Sequence, residues 1–387
     1  MGSREATKNT KIAKVRFGDV CQVVSGATPK TSVKEYWDGE FAWVTPAELK
    51  GEVVVTTTER KLTKAGLDSC SLKLIPQGAV LLTSRAPIGK VAIAGCDMYC
   101  NQGFKNLVCS ETVHNLYLYY WLKSNGEYLN SLGRGATFKE ISKTIVENIK
   151  IPLPSLLEQK RIAEELDQIC ELKKNAEERL ALMDRLVKSR FVEMFGDLQT
   201  NNKGWSIAPF EDAATIDGTL EKDFKRYADY PHIGIDSIAK GTGELVGYRT
   251  VAQDGVISGK YHFTAKHIIY SKIRPNFNKV ALPDFEGLCS ADAYAILPTE
   301  KADRVYLAYV LRSQFFLDYI IPLSGRTGMP KANRKQIQGF EFPLPPLALQ
   351  RKFAALVAEV GKSKFVLRET VARMETLYKA KLQEYFG

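Results

Sequence analysis

The chain has 387 residues, of which 45% are hydrophobic and 25% charged, and a formal net charge of +10 at pH 7. This composition is ordinary for a soluble globular protein, and the length allows two or three domains. No apolar run approaches the roughly 18 residues of a membrane span, and the amino terminus has no signal-peptide core, so a cytoplasmic protein is expected. The seven cysteines are an odd number without a Cys-x-x-Cys pair, which argues against a disulfide framework or a zinc site.

The first predicted element is a globular unit of mixed α/β structure over about residues 14–150. Short β-rich runs separated by turn signals predict its strands, and closely spaced apolar and aromatic residues predict a helix. The predicted strands cover residues 53–57, 79–83 and 90–94, and the predicted helix covers residues 115–125.

A long helix of about forty residues is predicted after this unit, with Pro152-Leu153-Pro154 at its entry and Gly196 at its end. Ser155 followed by Glu158 matches the capping-box pattern. The whole segment recurs 191 residues later without a gap, ending at Gly387, and 15 of its 45 positions are identical. A repeat of this length indicates that the chain contains two copies of one plan.

Steps of four and three residues along both helices place apolar side chains on one seam, which is typical of helices that pack as a coiled coil. The predicted seam of the helix pair consists of Ile162, Leu166, Ile169, Leu180, Met183, Val187, Phe353, Val357, Val360, Val371, Met374 and Tyr378. Cations interrupt both seams at the same two places, Lys173 and Arg190 in the first helix and Lys364 and Lys381 in the second. A polar seam residue costs stability but penalises wrong registers, so we interpret these cations as register markers. The pattern predicts an antiparallel coiled coil with pseudo-two-fold symmetry.

The second globular unit, about residues 205–341, follows the plan of the first with weaker identity. Leu82-Thr83-Ser84-Arg85 aligns with Ile269-Tyr270-Ser271-Lys272, and the loop that follows is two residues longer and more polar in the second unit. Similar frames with different loops are what two related binders of different ligands would have.

The motifs that usually accompany catalysis are missing from the sequence. It contains no phosphate-binding loop, dinucleotide fingerprint, His-Glu-x-x-His segment or amino-methyltransferase signature. Pro283-Asp284 could open a nuclease-type acidic site, but no Glu-x-Lys follows at a suitable distance. The four histidines are scattered, so they do not suggest a metal site. The chain is therefore predicted to be non-catalytic, with no metal site of its own.

Basic and amide side chains gather in the Gly-, Pro- and Asn-rich connections of both units. Arg pairs with guanine and Asn with adenine in the major groove, while Lys and backbone amides mostly contact phosphates. The predicted DNA-binding residues are Arg85, Lys90, Arg134, Thr137, Lys139, Lys143, Lys272, Arg274, Asn276, Asn278, Lys279, Arg326, Thr327, Lys331 and Arg334. Residues 156–197 hold 8 Lys and Arg against 10 Asp and Glu, so the globular units are better candidates for DNA binding than the helices.

In the order of its motifs and in its periodicity, the chain resembles the specificity subunits of type I restriction–modification systems. The supporting residues are Gly26-x-Thr28-Pro29, Tyr36-Trp37 and Trp43-Val44, together with the two Pro-Leu-Pro-x-x-x-x-x-Gln helix entries. The second unit lacks the Thr-Pro and Tyr-Trp opening and has Tyr230-Pro231-His232 instead. The resemblance covers nearly the whole chain.

The resemblance implies two target-recognition domains, residues 12–152 and 197–343, each followed by a conserved helical spacer, residues 153–196 and 344–387. Each domain would recognise one half of a bipartite, asymmetric DNA target, while the helices would fix the spacer between the halves and dock partner subunits. Those partners would be two modification subunits, which bind S-adenosylmethionine and methylate adenine, and restriction subunits, which use ATP and Mg²⁺. The chain itself would bind no cofactor.

Other classes of protein can be distinguished from a specificity subunit. A stand-alone sequence-specific DNA-binding regulator with a coiled-coil spacer would show the same charge and repeat, and tight specific binding without a methyltransferase partner would favour it. A self-sufficient methyltransferase or nuclease would need the missing catalytic motifs. A purely structural coiled-coil protein would not need two large, unequal globular units with polar loops.

Overall fold

The structure is a computed structural model that describes residues 12–135, 139–218, 220–325 and 328–387. The chain divides into two compact units: unit 1 runs to Ala176 and resumes over Thr370–Gly387, and unit 2 is Glu177–Glu369. Both boundaries fall inside the long helices, so each unit contains a globular part and a portion of each helix. Both globular parts are mixed α/β structures, as predicted.

Unit 1 is built mainly from short strands. They are β1 (Lys14–Arg16), β2 (Cys21–Ser25), β3 (Trp37–Val44), β4 (Val54–Val55), β5 (Arg60–Leu62), β6 (Val80–Leu82), β7 (Val91–Ala94), β8 (Tyr99–Cys100), β9 (Lys105–Cys109) and β10 (Lys150–Pro152). Its helices are α1 (Phe17–Val20), α2 (Lys64–Asp68), α3 (Asn115–Ser124), α4 (Gly126–Ser131), α5 (Lys143–Asn148) and the first part of α6 (Leu156–Phe195). The strands form sheets of order β2-β9-β6-β7-β4 and β5-β3-β8, and β1 pairs with β10.

The predicted strands and helix of the first globular part are confirmed, with shorter bounds, as β4, β6, β7 and α3. Strand β6 shows why its sequence is apolar throughout. Val80 and Leu82 belong to a core cluster that includes α3, whereas Leu81 faces a second core on the other side of the sheet. A strand buried on both faces has no solvent side that would favour polar residues.

Unit 2 repeats this architecture. Its strands are β11 (Ile207–Pro209), β12 (Ala214–Asp217), β13 (Leu220–Glu221), β14 (Pro231–Ile233), β15 (Arg249–Thr250), β16 (Lys260–Phe263), β17 (Ile268–Ser271), β18 (Val280–Ala281), β19 (Gly287–Cys289), β20 (Ala293–Pro298) and β21 (Glu341–Pro343). Its helices are α7 (Phe210–Ala213), α8 (Arg304–Arg312), α9 (Gln314–Leu323), α10 (Arg334–Gln338) and the first part of α11 (Leu347–Phe386). The sheets have the orders β12-β20-β17-β18 and β13-β16-β19-β14-β15, and β11 pairs with β21.

The two long helices, α6 and α11, each have 40 residues. At the start of α6, Ser155 Oγ accepts a hydrogen bond from Glu158 N–H at 3.3 Å, while the Glu158 carboxylate is engaged by Arg161. At its end, Gly196 adopts φ +80°, a left-handed conformation that glycine tolerates without strain. None of the helices in the described ranges combines the length and apolar character that crossing a membrane requires.

Every predicted seam position of α6 and α11 is buried or half-buried. In unit 1, Lys173 Nζ lies 2.6 Å from Glu375 Oε1. In unit 2, Lys364 Nζ lies 2.5 Å from Asp184 Oδ1. These pairs occupy equivalent positions of the repeat, because adding 191 to 173 and 184 gives 364 and 375. Lys and carboxylate partners at matching positions favour one antiparallel register in each unit.

The other two seam cations behave differently from each other. Lys381 Nζ lies 2.9 Å from Glu165 Oε1 of the facing helix, so it also supports the register in unit 1. Arg190 instead pairs with Glu193 of its own helix at 2.7 Å. Among the described contacts Arg190 has no partner on the facing helix, so its role as a register marker stays a prediction.

A buried glutamine links each long helix to the globular part that precedes it. Gln159 is fully buried; its Oε1 accepts from His114 N–H at 2.8 Å, and its Nε2 donates to the carbonyls of Thr112 at 3.0 Å and Pro154 at 2.9 Å. These three bonds satisfy backbone groups at the start of α3 and at the helix entry, so the glutamine fixes the angle between them.

The same arrangement recurs in unit 2. The fully buried Gln350 accepts from Asp303 N–H at 2.7 Å and donates to the carbonyls of Lys301 at 3.2 Å and Pro345 at 2.7 Å. A tyrosine adds a further link in each unit: Tyr117 donates to Pro152 O at 2.7 Å, and Tyr306 donates to Pro343 O at 2.5 Å.

Candidate nucleic-acid interface

Two of the predicted clusters of unit 1 meet beside the end of β6. Arg85 and Glu140 form an isolated β-bridge, and Ile141 N–H donates to Ser84 O at 2.9 Å. The loop after β6 and the segment before α5 are therefore one continuous surface, although they are 55 residues apart in the chain. We call the group of Ser84, Arg85, Lys105, Arg134 and Glu140 the first junction.

Glu140 organises the charges of the first junction. Its Oε2 accepts from Arg85 Nε at 3.0 Å, and its Oε1 accepts from Lys105 Nζ at 3.3 Å. Partial burial raises the pKa of Glu140, but the hydrogen bonds from Arg85 and Lys105 outweigh this effect and hold the pKa below its ordinary value. Lys105 is only 8% exposed, whereas the guanidinium of Arg85 remains accessible. The carboxylate thus neutralises a buried ammonium and orients an exposed arginine.

Replacing Glu140 by Gln should destabilise unit 1. The buried Lys105 loses its counter-charge, and we expect a loss of about 1–2 kcal/mol in the free energy of unfolding, discounted because the Glu140 side chain is one-third exposed. Because the folded pKa is lowered, the carboxylate contributes its full stabilisation above its usual pKa of about 4.5, and this contribution is lost as the pH falls through the folded value. Denaturant unfolding at a series of pH values measures both effects.

The matched control for this prediction is the double variant Glu140→Gln with Lys105→Met. Removing the ammonium removes the unpaired buried charge, so the double variant should regain stability relative to Glu140→Gln alone. Equal stability of the wild type and Glu140→Gln at pH 7 would contradict the assignment of Glu140 as the counter-ion.

Unit 2 has an equivalent second junction, made of Lys272, Ile273, Asp292, Tyr294 and Lys331. Ile273 and Lys331 form an isolated β-bridge, and Ala332 N–H donates to Lys272 O at 2.7 Å. Lys331 Nζ lies 3.2 Å from Asp292 Oδ1, and the Lys272 ammonium lies 4.8 Å from the centre of the Tyr294 ring.

Lys272 is the buried cation of the second junction, with 8% of its surface exposed. Burial lowers its pKa, the nearby Lys331 lowers it further, and Asp292 opposes both effects. A cation–π contact with Tyr294 favours the charged form in this partly desolvated position.

The backbone hydrogen bonds of the two junctions correct the alignment predicted from the sequence. Thr83 N–H donates to Lys90 O and Ser271 N–H donates to Lys279 O, both at 3.0 Å. Ser271 is therefore equivalent to Thr83, and the prediction that it matches Ser84 is wrong by one residue. Ser84 therefore corresponds to Lys272, and Arg85 corresponds to Ile273. The loop of unit 2 is longer than that of unit 1 by one residue, and the predicted difference of two residues is wrong.

The structure leaves eight of the predicted DNA-binding residues exposed. They are Arg85, Arg134, Lys139 and Lys143 in unit 1, and Arg274, Asn276, Lys331 and Arg334 in unit 2. Three others, Thr137, Arg326 and Thr327, lie outside the described residues. Each of these eight exposed residues either belongs to one of the two junctions or lies within three residues of one in the chain. The structure thus brings together clusters that are far apart in the sequence.

Three of the four remaining predicted residues donate side-chain hydrogen bonds to backbone carbonyls. Lys90 Nζ donates to the carbonyls of Pro46 and Leu49, both at 3.1 Å, and Lys279 Nζ donates to Ile235 O at 2.7 Å. Asn278 Nδ2 donates to Arg312 O at 2.8 Å. Together with the buried Lys272, these side chains hold the loops in place, and their predicted contact with DNA stays a prediction.

Glu140 and Asp292 are the candidate residues that the sequence analysis missed. Each is a single carboxylate that faces predicted cations across a junction. The DNA-binding residues were predicted from basic and amide side chains, so carboxylates were not among them. The only sequence signal for Glu140 is its position as the one acidic residue between Arg134 and Lys143. Within the described part of the chain, no group of three or more His, Cys, Asp or Glu side chains could hold a metal ion.

Known proteins match this chain over most of its length. Residues 9–182 and 202–370 match the family model described as "Type I restriction modification DNA specificity domain". The chain is 27% identical over 383 residues to the type I restriction enzyme MjaIX specificity subunit of Methanocaldococcus jannaschii, covering 90% of this chain and 88% of the relative. It is 31% identical over 312 residues to the type I restriction enzyme EcoDI specificity subunit of Escherichia coli, covering 70% of this chain and 69% of that subunit.

Solved structures share the fold. The crystal structure of the type I restriction–modification system S subunit from M. genitalium matches with a TM-score of 0.62 and 13% identity, over 100% of this chain and 99% of that chain. A structure from work on complex assembly and conformational transition of the type I R-M system matches with a TM-score of 0.54 and 19% identity, over 98% of this chain and 99% of that chain. With two matched domains spanning most of its length, the chain belongs to the family of type I restriction–modification DNA specificity subunits.

Proposed function

We propose that this chain recognises a bipartite, asymmetric DNA target, with one half-site bound by each globular part. The observation that carries the proposal is the pair of junctions: the same backbone hydrogen bonds hold a carboxylate, Glu140, in unit 1 and an ammonium, Lys331, at the equivalent position in unit 2. Two junctions that share the same backbone hydrogen bonds but carry opposite charges at one position are suited to the recognition of two different base sequences.

The recognition domains in this proposal are residues 12–152 and 197–343, and the helical spacers are residues 153–196 and 344–387. Arg85, held by Glu140, is the candidate for a bidentate contact with guanine, and Asn276 is the candidate for adenine. The exposed lysines beside the junctions contact phosphates, which fix the position of the protein without specifying sequence.

As a specificity subunit, the chain works with DNA and with modification and restriction partners, and it is the recognition component rather than the catalytic one. We propose two modification subunits, which supply S-adenosylmethionine and methylate adenine, and restriction subunits, which use ATP and Mg²⁺, all in the cytoplasm. The long helices fix the spacer between half-sites and dock these partners. The adjacent apolar side chains Phe365 and Val366, each 62% exposed on α11, support a docking role.

The test is to combine the purified chain with its modification partner and S-adenosylmethionine, supply genomic DNA, and map methylated adenines at single-base resolution. We expect one bipartite motif with a fixed spacer and methylation on both strands. Removing one heptad from each long helix should then change the spacer length. Tight specific binding by the chain alone, with no methylation that depends on it, would overturn the proposal in favour of a stand-alone regulator.

A further inference from the structure

The loop between β8 and β9 carries an exposed glutamine, Gln102, which is not among the predicted DNA-binding residues. The backbone of this loop is held from two sides. Asn101 N–H donates to Val44 O at 3.2 Å, and Ala27 N–H donates to Cys100 O at 3.0 Å. Because the backbone is already ordered, a contact made by Gln102 costs less entropy than one made from a mobile loop.

The Gly26-x-Thr28-Pro29 motif packs against this loop. A Cβ placed on Gly26 would lie 2.2 Å from the carbonyl oxygen of Cys100, so any larger residue would push the two segments apart. Two residues further on, Thr28 Oγ1 donates a hydrogen bond to Gln102 Oε1. The motif therefore brings a hydroxyl group to the glutamine side chain.

The hydrogen bond from Thr28 decides which end of the Gln102 amide is free. A glutamine amide has a carbonyl oxygen that accepts hydrogen bonds and an NH2 group that donates them. Thr28 occupies the oxygen, and Nε2 has no hydrogen-bond partner in the part of the chain that the structure describes. The group that Gln102 offers to a ligand is therefore a donor, which requires an acceptor on that ligand.

Gln102 lies beside the first junction. Ser84 N–H donates to Gly103 O at 2.7 Å, so the residue after Gln102 is bonded to the residue before Arg85. The Arg85 guanidinium is accessible to solvent, as is the Gln102 side chain. The one carboxylate of the junction, Glu140, is already engaged by two cations. The free amide donor is thus next to the exposed arginine that is the candidate for DNA contact in unit 1.

Unit 2 lacks this donor. Its equivalent backbone bond joins Lys272 N–H to Asp292 O at 3.0 Å, so Asp292 corresponds to Gly103. The residue before Asp292 is Ala291, which therefore corresponds to Gln102. The Thr-Pro opening is also missing from unit 2. The glutamine and the threonine that holds it occur together in unit 1, so the donor would act on one half-site alone.

We propose that Gln102 is a further DNA-contacting residue of unit 1, whose amide N–H donates to an acceptor of the bound half-site, and that Thr28 is its positioning residue. The inference rests on the proposed function, because it requires DNA at the first junction. Duplex DNA offers two such acceptors: N7 of a purine, on a base edge in the major groove, and a phosphate oxygen, which carries no sequence information. Both accept from the same donor, and DNA analogues distinguish them.

The experiment uses the chain assembled with its modification partner and duplexes that carry the motif found by methylation mapping. Purines are replaced one at a time by 7-deazapurines, in which a C–H group takes the place of N7, and phosphates are replaced one at a time by methylphosphonates. One replacement should weaken the binding of the wild type about fivefold more than that of Gln102→Ala, which has already lost the contact. Gln102→Ala itself should lose about fivefold on the unmodified duplex. A coupled 7-deazapurine identifies a base contact, and a coupled methylphosphonate identifies a phosphate contact.

Two further substitutions test the direction of the hydrogen bond and the role of Thr28. Gln102→Glu keeps the length of the side chain but has no N–H to donate at neutral pH, so it should bind at least as weakly as Gln102→Ala. Thr28→Val removes the hydroxyl and should reduce the sensitivity to the coupled analogue, whereas Thr28→Ser should retain that sensitivity. A purely structural threonine would affect stability without changing the response to one analogue.

Gln22→Ala is the matched control, because Gln22 is an exposed glutamine of unit 1 that lies on β2 opposite Val108, within paired strands rather than in the loop. It should bind every duplex like the wild type. The inference is overturned if no analogue is coupled to Gln102, if coupled positions occur in both half-sites, or if Gln102→Glu binds like the wild type. Failure of the wild type to give any bipartite motif would instead refute the proposed function.

Discussion

Replacing Gln159 by Leu should lower the free energy of unfolding of unit 1 by about 3 kcal/mol or more. The substitution removes three hydrogen bonds and leaves the N–H of His114 and the carbonyls of Thr112 and Pro154 without their partner. Each buried backbone group left unpaired costs about 1–3 kcal/mol, and the apolar burial of leucine offsets only part of the sum. Denaturant unfolding with a unit 1 probe measures the loss.

Gln168→Leu is the control for this result, since Gln168 is an exposed residue of the same helix. We expect a change within about 0.5 kcal/mol for that substitution. The equivalent change in the repeat, Gln350→Leu, should destabilise unit 2 to a similar extent, because Gln350 makes the corresponding three bonds. If Gln159→Leu and Gln168→Leu were equally stable, the buried glutamine would not be what holds helix α6 to the globular part.

Removing the two exposed cations Lys331 and Arg334 together should weaken DNA binding by about sixtyfold at 0.1 M salt. Each phosphate contact contributes about 0.9 to the slope of log affinity against log salt, which amounts to about eightfold per contact at this concentration. The slope itself should fall by about 2 in the double alanine variant. The measurement is a salt titration of binding by the assembled complex to a duplex that carries its motif.

The control removes the same charge from the same unit. Arg351 and Lys352 are exposed on α11, and their double alanine variant should keep both the affinity and the salt slope of the wild type. Equal losses in the two double variants would show that binding depends on net charge alone. That outcome would remove the support for a localised interface at the second junction.

The helix pair was predicted well from the periodicity of the sequence, because the positions of the seam residues follow from their spacing along each helix. A residue at the seam recurs every three or four positions, and its burial follows from that spacing whatever the rest of the fold does. Even the register cations follow this logic: Lys173 and Lys364 meet Glu375 and Asp184 on the facing helix. The strands of the first globular part were predicted for a similar reason, since a run such as residues 79–83 between turn signals carries its own boundaries.

The junctions could not be predicted in the same way, because they depend on which segments meet. A loop sequence shows its donors but not their partners, so Lys90 and Lys279 looked available although both ammonium groups bind backbone carbonyls. The alignment of Ser84 with Ser271 failed because the shared serine and the similar charges of Arg85 and Lys272 beside it outweighed a one-residue difference in loop length. Hydrogen bonds between distant strands fix that register, and single-sequence patterns do not contain them.

The buried glutamines bear on how the two halves of the gene can diverge. Gln159 and Gln350 bind main-chain atoms, and two of the three residues that supply those atoms differ between the copies: Thr112 corresponds to Lys301, and His114 corresponds to Asp303. Since every amino acid except proline offers the same N–H and C=O groups, mutation at these positions leaves the link intact. The hydrogen bonds that join each long helix to its globular part therefore tolerate substitutions at the residues that supply the backbone groups. The two recognition surfaces can thus acquire new targets independently without losing this link.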